Sequence, residues 1–379
     1  MSTTRRRTVA AGLALGVAGA TVVLTGAAAG ADRDRPHWTS VPAVGVTRGV
    51  AAPNVLSPGF VQHIVAQGAT RLENPTADVP YYGYNGNGTL VPDPTLTQSP
   101  GHPVEASKTE PDKNTYLRLP GLRGADPNYG YGTHFLYQGH EGGTAGYLTR
   151  VNLDADAAHR VTLLATKLVD GTPIPTIDGS TWDPWARRLL FTAELGSNGA
   201  VLQATPDVNA TSAANAGFGG WGGAYRLTQD RPGADEGRLS LLFAGDQAHT
   251  GFDNAAFFDR DHVAFVEDAG DTVHAQRGAF DSGYLLDVEK DYGKGGEPVR
   301  FLAEGRDASA TIDSMLAALG NGFQNDGDNE ITGIYVSDGD PGTDAILGAK
   351  VPRLFHDGWR LFWTQQHGDN ITWQVVPED

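Results

Sequence analysis

The chain has 379 residues, with 50 glycines, 22 prolines, no cysteine, 40% hydrophobic content and a formal net charge of −17. That length supports a large core, and the missing cysteine excludes disulfides, thiolate metal sites and a cysteine nucleophile. The acidic balance argues against nucleic acid or an anionic membrane as partner, since both need a basic face, and leaves solubility or hard-cation binding as readings of the carboxylates.

Residues 1–31 read as an export signal. Arg5-Arg6-Arg7 forms a charged start, Ala10 to Leu24 a short, mildly apolar stretch, and Ala29-Gly30-Ala31 a small-residue cleavage site before Asp32. Thr4-Arg5-Arg6-Arg7-Thr8-Val9 has twin-arginine character, the pattern of proteins exported already folded. The apolar stretch is too short and too glycine-interrupted for a membrane anchor. The expectation is an exported, soluble protein with a bacterial-type signal. Residues 32–130 are dense in Pro, Gly, Asn and Asp and read as an irregular N-terminal region of loops and short strands, Phe60–Val65 among them, packed on the main body.

Residues 131–379 are strand-dominated. Four segments each carry a short apolar strand into an acidic or amide residue, a histidine or carboxylate, and a glycine. They are Phe135–Gly142, Leu189–Gly196, Val263–Gly270 and Leu361–Gly368. A second alternating strand follows each one: Gly146–Val151, Gly199–Thr205, Ser282–Val288 and Ile371–Val376. Further runs lie at Val161–Leu164, Ala224–Thr228, Leu239–Phe243 and Val299–Leu302. Ile312, Met315, Leu316 and Leu319 fall at helical spacing, with Gly320 where a C-terminal cap belongs. Repeated hairpins with irregular spacing predict an all-β fold: a β-propeller with long inter-blade insertions and one short helix, ahead of a two-sheet arrangement.

Equivalent strand ends in a propeller meet at one mouth. Glu141, Glu194, Glu267 and Asp268 would converge there, Glu330 opens a further strand, and Gly251–Ala255 adds Asp253 and Asn254. Crowded carboxylates repel unless a cation or shared protons neutralise them. All-oxygen ligands favour Ca²⁺ or Mg²⁺, while His140 and His367 admit a transition metal. The competing reading is local, because Asp and Glu before Gly also mark ordinary β-turns. Asn325–Glu330 has the alternate-oxygen spacing of a calcium loop without the EF-hand frame. Motifs for a serine elbow, a His-Glu-x-x-His zinc helix or a phosphate-cradling loop are missing.

Together these segments resemble the PhoX-type alkaline phosphatase family. The likeness rests on Tyr137-Gln-Gly-His140-Glu141, on Asp183-Pro184-Trp185 leading to Leu189–Glu194, and on Val266-Glu267-Asp268. It rests also on the ordered series Glu330-Ile-Thr-Gly333, Ser337-Asp338, Leu361-Phe362 and Gln366-His367-Gly368. The resemblance implies a propeller and an exported metal-dependent phosphoesterase acting on a small phosphorylated substrate. It further implies a calcium cluster with iron, held by Glu141, Glu194, Glu267 and Asp268, with Glu330 a looser ligand. His367 and Arg187 would neutralise phosphate charge. Departures are specific. The family's iron-binding cysteine falls where this chain has Ile177-Asp178-Gly179, so a thiolate-held iron is ruled out while Asp178 can still bind a hard ion. A His-Glu pair is replaced by Asp253-Asn254, and Gln-His-Pro-Gly has become Gln366-His367-Gly368-Asp369. A non-catalytic, calcium-stabilised propeller acting as a binding module and a calcium-dependent esterase or lactonase are the alternatives.

Overall fold

Phe135, Leu136 and Tyr137 are consecutive in the sequence and all three are buried, as are Leu361, Phe362 and Trp363. A strand buried on both faces is apolar along its whole length rather than alternating, and such strands sit at the heart of this protein. The computed structural model describes residues 37–46, 52–68, 70–85, 107–141, 146–168, 171, 173–174, 176–185, 187–193, 223–228, 230, 237–305, 330–344, 349–366 and 370–378. The signal stretch, Glu194, the Gly199–Thr205 strand, the helix expected around Ile312 and the loop at Asn325 lie outside them, as does His367.

Among the described residues the fold is nearly all β, in antiparallel sheets. A first sheet joins β5 (Glu110–Pro111) and β6 (Thr115–Arg118) to β7 (His134–Glu141), then β8 (Tyr147–Asn152) and β9 (Val161–Ala165). The second pairs β10 (Ile177–Asp183) with β11 (Arg188–Ala193), and the third pairs β12 (Gly223–Thr228) with β13 (Arg238–Ala244). The fourth runs β14 (Phe252–Phe257), β15 (His262–Glu267), β16 (Ser282–Asp287), β17 (Val299–Ala303) and β1 (Val55–Leu56). The fifth runs β18 (Glu330–Ser337), β19 (Arg360–Gln366), β20 (Ile371–Pro377) and β2 (Phe60–Ala66). A small ribbon, β3 (Tyr84–Asn85) with β4 (Ser107–Lys108), stands apart. Strands from the glycine- and proline-rich stretch before residue 130 thus complete three sheets: β1 beside β17, β2 beside β20, and β5 with β6 beside β7.

Three of the expected hairpins are present as β7–β8, β15–β16 and β19–β20. The one described α-helix, α1 (Gly270–Arg277), joins β15 to β16 and closes on Gly278, whose φ of 69° fits the left-handed cap that glycine favours.

Four hydrophobic clusters separate the sheets, and each joins two of them. Leu117, Phe135 and Tyr137 of the first sheet pack with Trp182 and Leu189 of the second. Ala224, Leu242 and Phe243 of the third meet Val263, Tyr284 and Leu286 of the fourth. Ala264, Val266, Leu285 and Phe301 of the fourth meet Ile331, Leu361, Trp363 and Val375 of the fifth. Phe362 and Ala66 of the fifth meet Tyr116, Leu136 and Val151 of the first. Period-two alternation assigns the faces: Leu361 and Trp363 point one way, Phe362 the other. Sheets one, four and five are therefore sandwiched between neighbours, which explains the unbroken apolar runs.

Candidate functional site: an acid cluster around Lys113

The first strand of every sheet is irregular. β5 and β6 are interrupted by Asp112-Lys113-Asn114. Register breaks fall between Ile177 and Ser180 in β10, Ala224 and Tyr225 in β12, Phe252 and Ala255 in β14, and Thr332 and Tyr335 in β18. Bulges bend a strand and re-aim side chains, and they concentrate beside functional sites. Four of these breaks carry the polar residues Asp112, Lys113, Asp178, Asp253 and Asn254, or lie beside Glu330 and Thr332.

Hydrogen bonds lace the four breaks together. The Lys113 N–H donates to the Asp178 carbonyl at 3.3 Å, and Ser180 Oγ donates to the Lys113 carbonyl at 2.9 Å. Asn114 Nδ2 donates to the Gly333 carbonyl at 2.7 Å, and the Gly333 N–H donates to Asn254 Oδ1 at 3.1 Å. Gly333 has φ +62°, and a Cβ there would sit 2.6 Å from Asn114 Nδ2, so only glycine fits. Lys113 Nζ reaches Asn254 Oδ1 at 3.4 Å and the Ile334 carbonyl at 3.3 Å. Its ammonium thus bonds to oxygens of two first strands beyond its own sheet.

The electrostatics report crowding. Burial pushes the Asp112 carboxyl well above its ordinary range; the Thr332 hydroxyl, donating at 2.6 Å, opposes this, while Asp178 and Glu330 add to it. Asp112 and Asp178 are hydrogen-bonded carboxyl to carboxyl, an arrangement that needs a shared proton. Asp253 opens to solvent on one side yet is ringed by protein. Burial, then Asp268 and Asp178, raise it to about 6, against the pull of Lys113 and Asn254. Burial lowers Lys113, and Asp112, Asp253 and Asp178 pull it back up.

The structure therefore brings Asp178, Asp253, Asp268 and Glu330 into one cluster, and adds Asp112 and Lys113. The donor set fits a hard cation. It is all oxygen, it carries more carboxylates than ammonium groups, and it already shares a proton to relieve repulsion. Asp112, Asp178, Asp253, Asp268 and Glu330 are the residues that would hold the ion, with Asn254 and Thr332 as neutral oxygens.

Other expected site residues sit elsewhere. Glu141 ends β7 in register with Glu110, one strand outward from the breaks. Arg187, exposed and at φ 52°, is in the turn between β10 and β11, about 15 Å along the strand from Asp178 at 3.3 Å per residue. His140 is wholly buried and stacks on Tyr147 at 4.2 Å; burial lowers it to about 3, so it is a neutral core residue. Glu267 faces away from its neighbour Asp268. Its carboxylate accepts from the Thr250 and Ser282 N–H groups at 2.8 and 2.9 Å and pairs with Arg277 at 3.2 Å. Arg277 also holds Asp281 at 2.5 Å, and His274 lies 2.8 Å from the same oxygen.

Asp246, His249 and Glu297 also place one donor atom each within 4.8 Å of the others. Asp246 Oδ1 is already engaged by the Ala248 and His249 N–H groups and by His249 Nδ1. Asp156 makes the same three bonds to Ala158 and His159, and Asp259 makes them to Asp261 and His262. Asp-x-x-His is thus a turn device that this chain uses three times, and the Asp246 pair is accounted for without an ion.

Searches of protein-family models, of curated proteins and of solved structures found no match to this chain.

Proposed function

We propose that the five sheets are the blades of a β-propeller and that the protein is an exported, calcium-dependent phosphoesterase acting at the Lys113 cluster. One observation carries this reading: the irregular first strands of four different sheets supply carboxylates, or the lysine among them, to a single cluster. Support for the propeller comes from the order of packing. In chain order the first sheet packs on the second, the third on the fourth, the fourth on the fifth, and the fifth back on the first. β2 and β20, from the two ends of the described chain, complete one sheet together.

Bound calcium supplies Lewis acidity toward a phosphoryl oxygen. The chain's own residues supply the rest. Asp112, Asp178, Asp253, Asp268 and Glu330 hold the cation. Lys113 presents the cluster's ammonium to a phosphate oxygen, and Asn254 fixes that ammonium from the β14 break. The sandwiched sheets keep the breaks rigid, which is what positioning requires. Hydrolysis of an aryl phosphate by the purified protein, lost on chelation and restored by calcium, is the test. Loss of both turnover and calcium in Asp178→Asn and Asp253→Asn supports the assignment; full retention of both ends it.

A non-catalytic reading is favoured by one feature, the ammonium already lodged among the acids. It predicts calcium uptake and stabilisation without turnover.

A further inference from the structure

Lysine side chains ordinarily run along apolar surface and deliver their ammonium to water. Lys113 does the opposite. It leaves the backbone in the gap between β5 and β6 and is half-buried. Its Nζ lies 3.4 Å from Asn254 Oδ1 and 3.3 Å from the Ile334 carbonyl. Those are neutral oxygens from two further first strands, the amide and carbonyl donors that hard cations take alongside carboxylates. Asp112, Asp178 and Asp253 surround the same ammonium electrostatically. An ammonium has three N–H donors and no lone pair, so it meets these oxygens in the way an ion would. The contacts are long for charge-assisted hydrogen bonds, which run to about 2.7–2.9 Å. The cage is wider than an ammonium needs.

From this placement we infer that the Lys113 ammonium is a tethered cation filling one ion position of the cluster, so that the protein takes up one calcium fewer than its oxygen cage can hold. The inference rests on the cluster being a calcium site. It also accounts for an acid cluster that folds before any ion arrives, because one positive charge is built into the chain. Removing that charge opens a position for a free ion; moving it to arginine does not.

Calcium titration by calorimetry, with metal analysis of the dialysed full-length protein, tests this on the wild type, Lys113→Met and Lys113→Arg. The expected result is one additional calcium per chain in K113M and a larger calcium-induced rise in Tm than in the wild type, with K113R keeping the wild-type stoichiometry. If K113M folds only in calcium, that also supports the inference, since the ion then replaces the missing charge. Equal stoichiometry and equal Tm response in K113M and wild type overturn it, and so does a K113M that stays unfolded at every calcium concentration. The wild-type arm separates the two ideas. A wild type that binds no calcium ends the calcium-dependent phosphoesterase, whereas one calcium gained by K113M over that zero still upholds the tethered cation.

Discussion

Glu267 and Asp268 are adjacent in sequence and belong to two ionic clusters of opposite design. Around Glu267 charges are matched: two carboxylates, Glu267 and Asp281, face Arg277 and His274, and backbone N–H groups take up remaining oxygens. Helix α1 presents His274 and Arg277 three residues apart, on one face. Around Lys113, Asp112, Asp178, Asp253, Asp268 and Glu330 outnumber the single ammonium. A matched buried cluster explains itself as a tie between strands. An unmatched one raises its own carboxyl pKa values and holds a standing affinity for a cation.

The sharpest way to break this contrast is to remove one partner from each side. Arg277→Met strands two carboxylates in a wholly buried setting and is expected to cost about 3–5 kcal/mol in urea unfolding. Asp178→Asn removes one negative charge from a crowd and is expected to leave the calcium-free protein as stable or more so. If Asp178→Asn destabilises as much as Arg277→Met, the two clusters are alike and the contrast fails.

Next in size is the response to calcium. An ion present at a hundred times its dissociation constant stabilises a folded protein by about 2.7 kcal/mol. The wild type and Arg277→Lys should both show a rise in Tm with calcium, and Asp253→Asn should lose most of it. A rise of equal size in Asp253→Asn would place the ion elsewhere.

The effect of pH sharpens the same point. Asp253 titrates at about 6 in the fold against an ordinary 3.8, so between those values the folded state holds more protons than the unfolded one. Its contribution to the calcium-free fold is fully present below 3.8 and is lost as pH rises through about 6. Calcium must displace that proton, so affinity should climb across the same window and level off above it. Calorimetry at pH 5 and pH 7.5 reads the difference, and Asp253→Asn should flatten it.

The smallest expected effect is at the Asp-x-x-His turns. The hydrogen bond from Asp259 raises His262. The stabilisation is therefore full below 6.5 and lost as pH rises through the raised value. Asp259→Asn should cost about 0.2–1 kcal/mol, since both partners are solvent-accessible, and the loss should be larger at pH 6 than at pH 9. A pH-independent loss would mean that the backbone bonds of the turn, not the imidazolium, carry its stability.

The second and third strands of the sheets were easy to read in the sequence, because burial on both faces makes them apolar throughout, as at Phe135–Tyr137 and Leu361–Trp363. Their first strands were not. Glu110–Arg118 is broken by Asp112-Lys113-Asn114, and Phe252–Phe257 by Asp253-Asn254, so polar residues fall where periodicity expects core. The same breaks hold the candidate site, which is why expectation settled on the acidic ends of second strands, Glu141 and Glu267, and missed Asp112 and Lys113. Asp178, Asp253 and Glu330 entered by resemblance or position, and Asp268 from a strand end. The usable signal for the missed pair was a charged doublet between two short β-prone fragments, Glu110-Pro111 and Thr115–Arg118. Helix α1 escaped notice because it carries no apolar stripe; its inward residues are His274 and Arg277.

The pairing of β2 with β20 has a consequence for how the protein is made. Tyr82 and Thr372 bond to one another across 290 residues, and Asn54 to Gln365 across 311. Contacts of such long range are slow to form, and here they cannot form at all until the strand at Ile371–Pro377 has emerged from the ribosome. Through most of translation β2 is an unpaired edge, with Ile64 and its neighbours exposed to any strand that passes. The nascent chain must therefore be shielded for longer than its size alone would require, and a lesion at residues 371–377 strikes the first-made part of the fold as hard as the last.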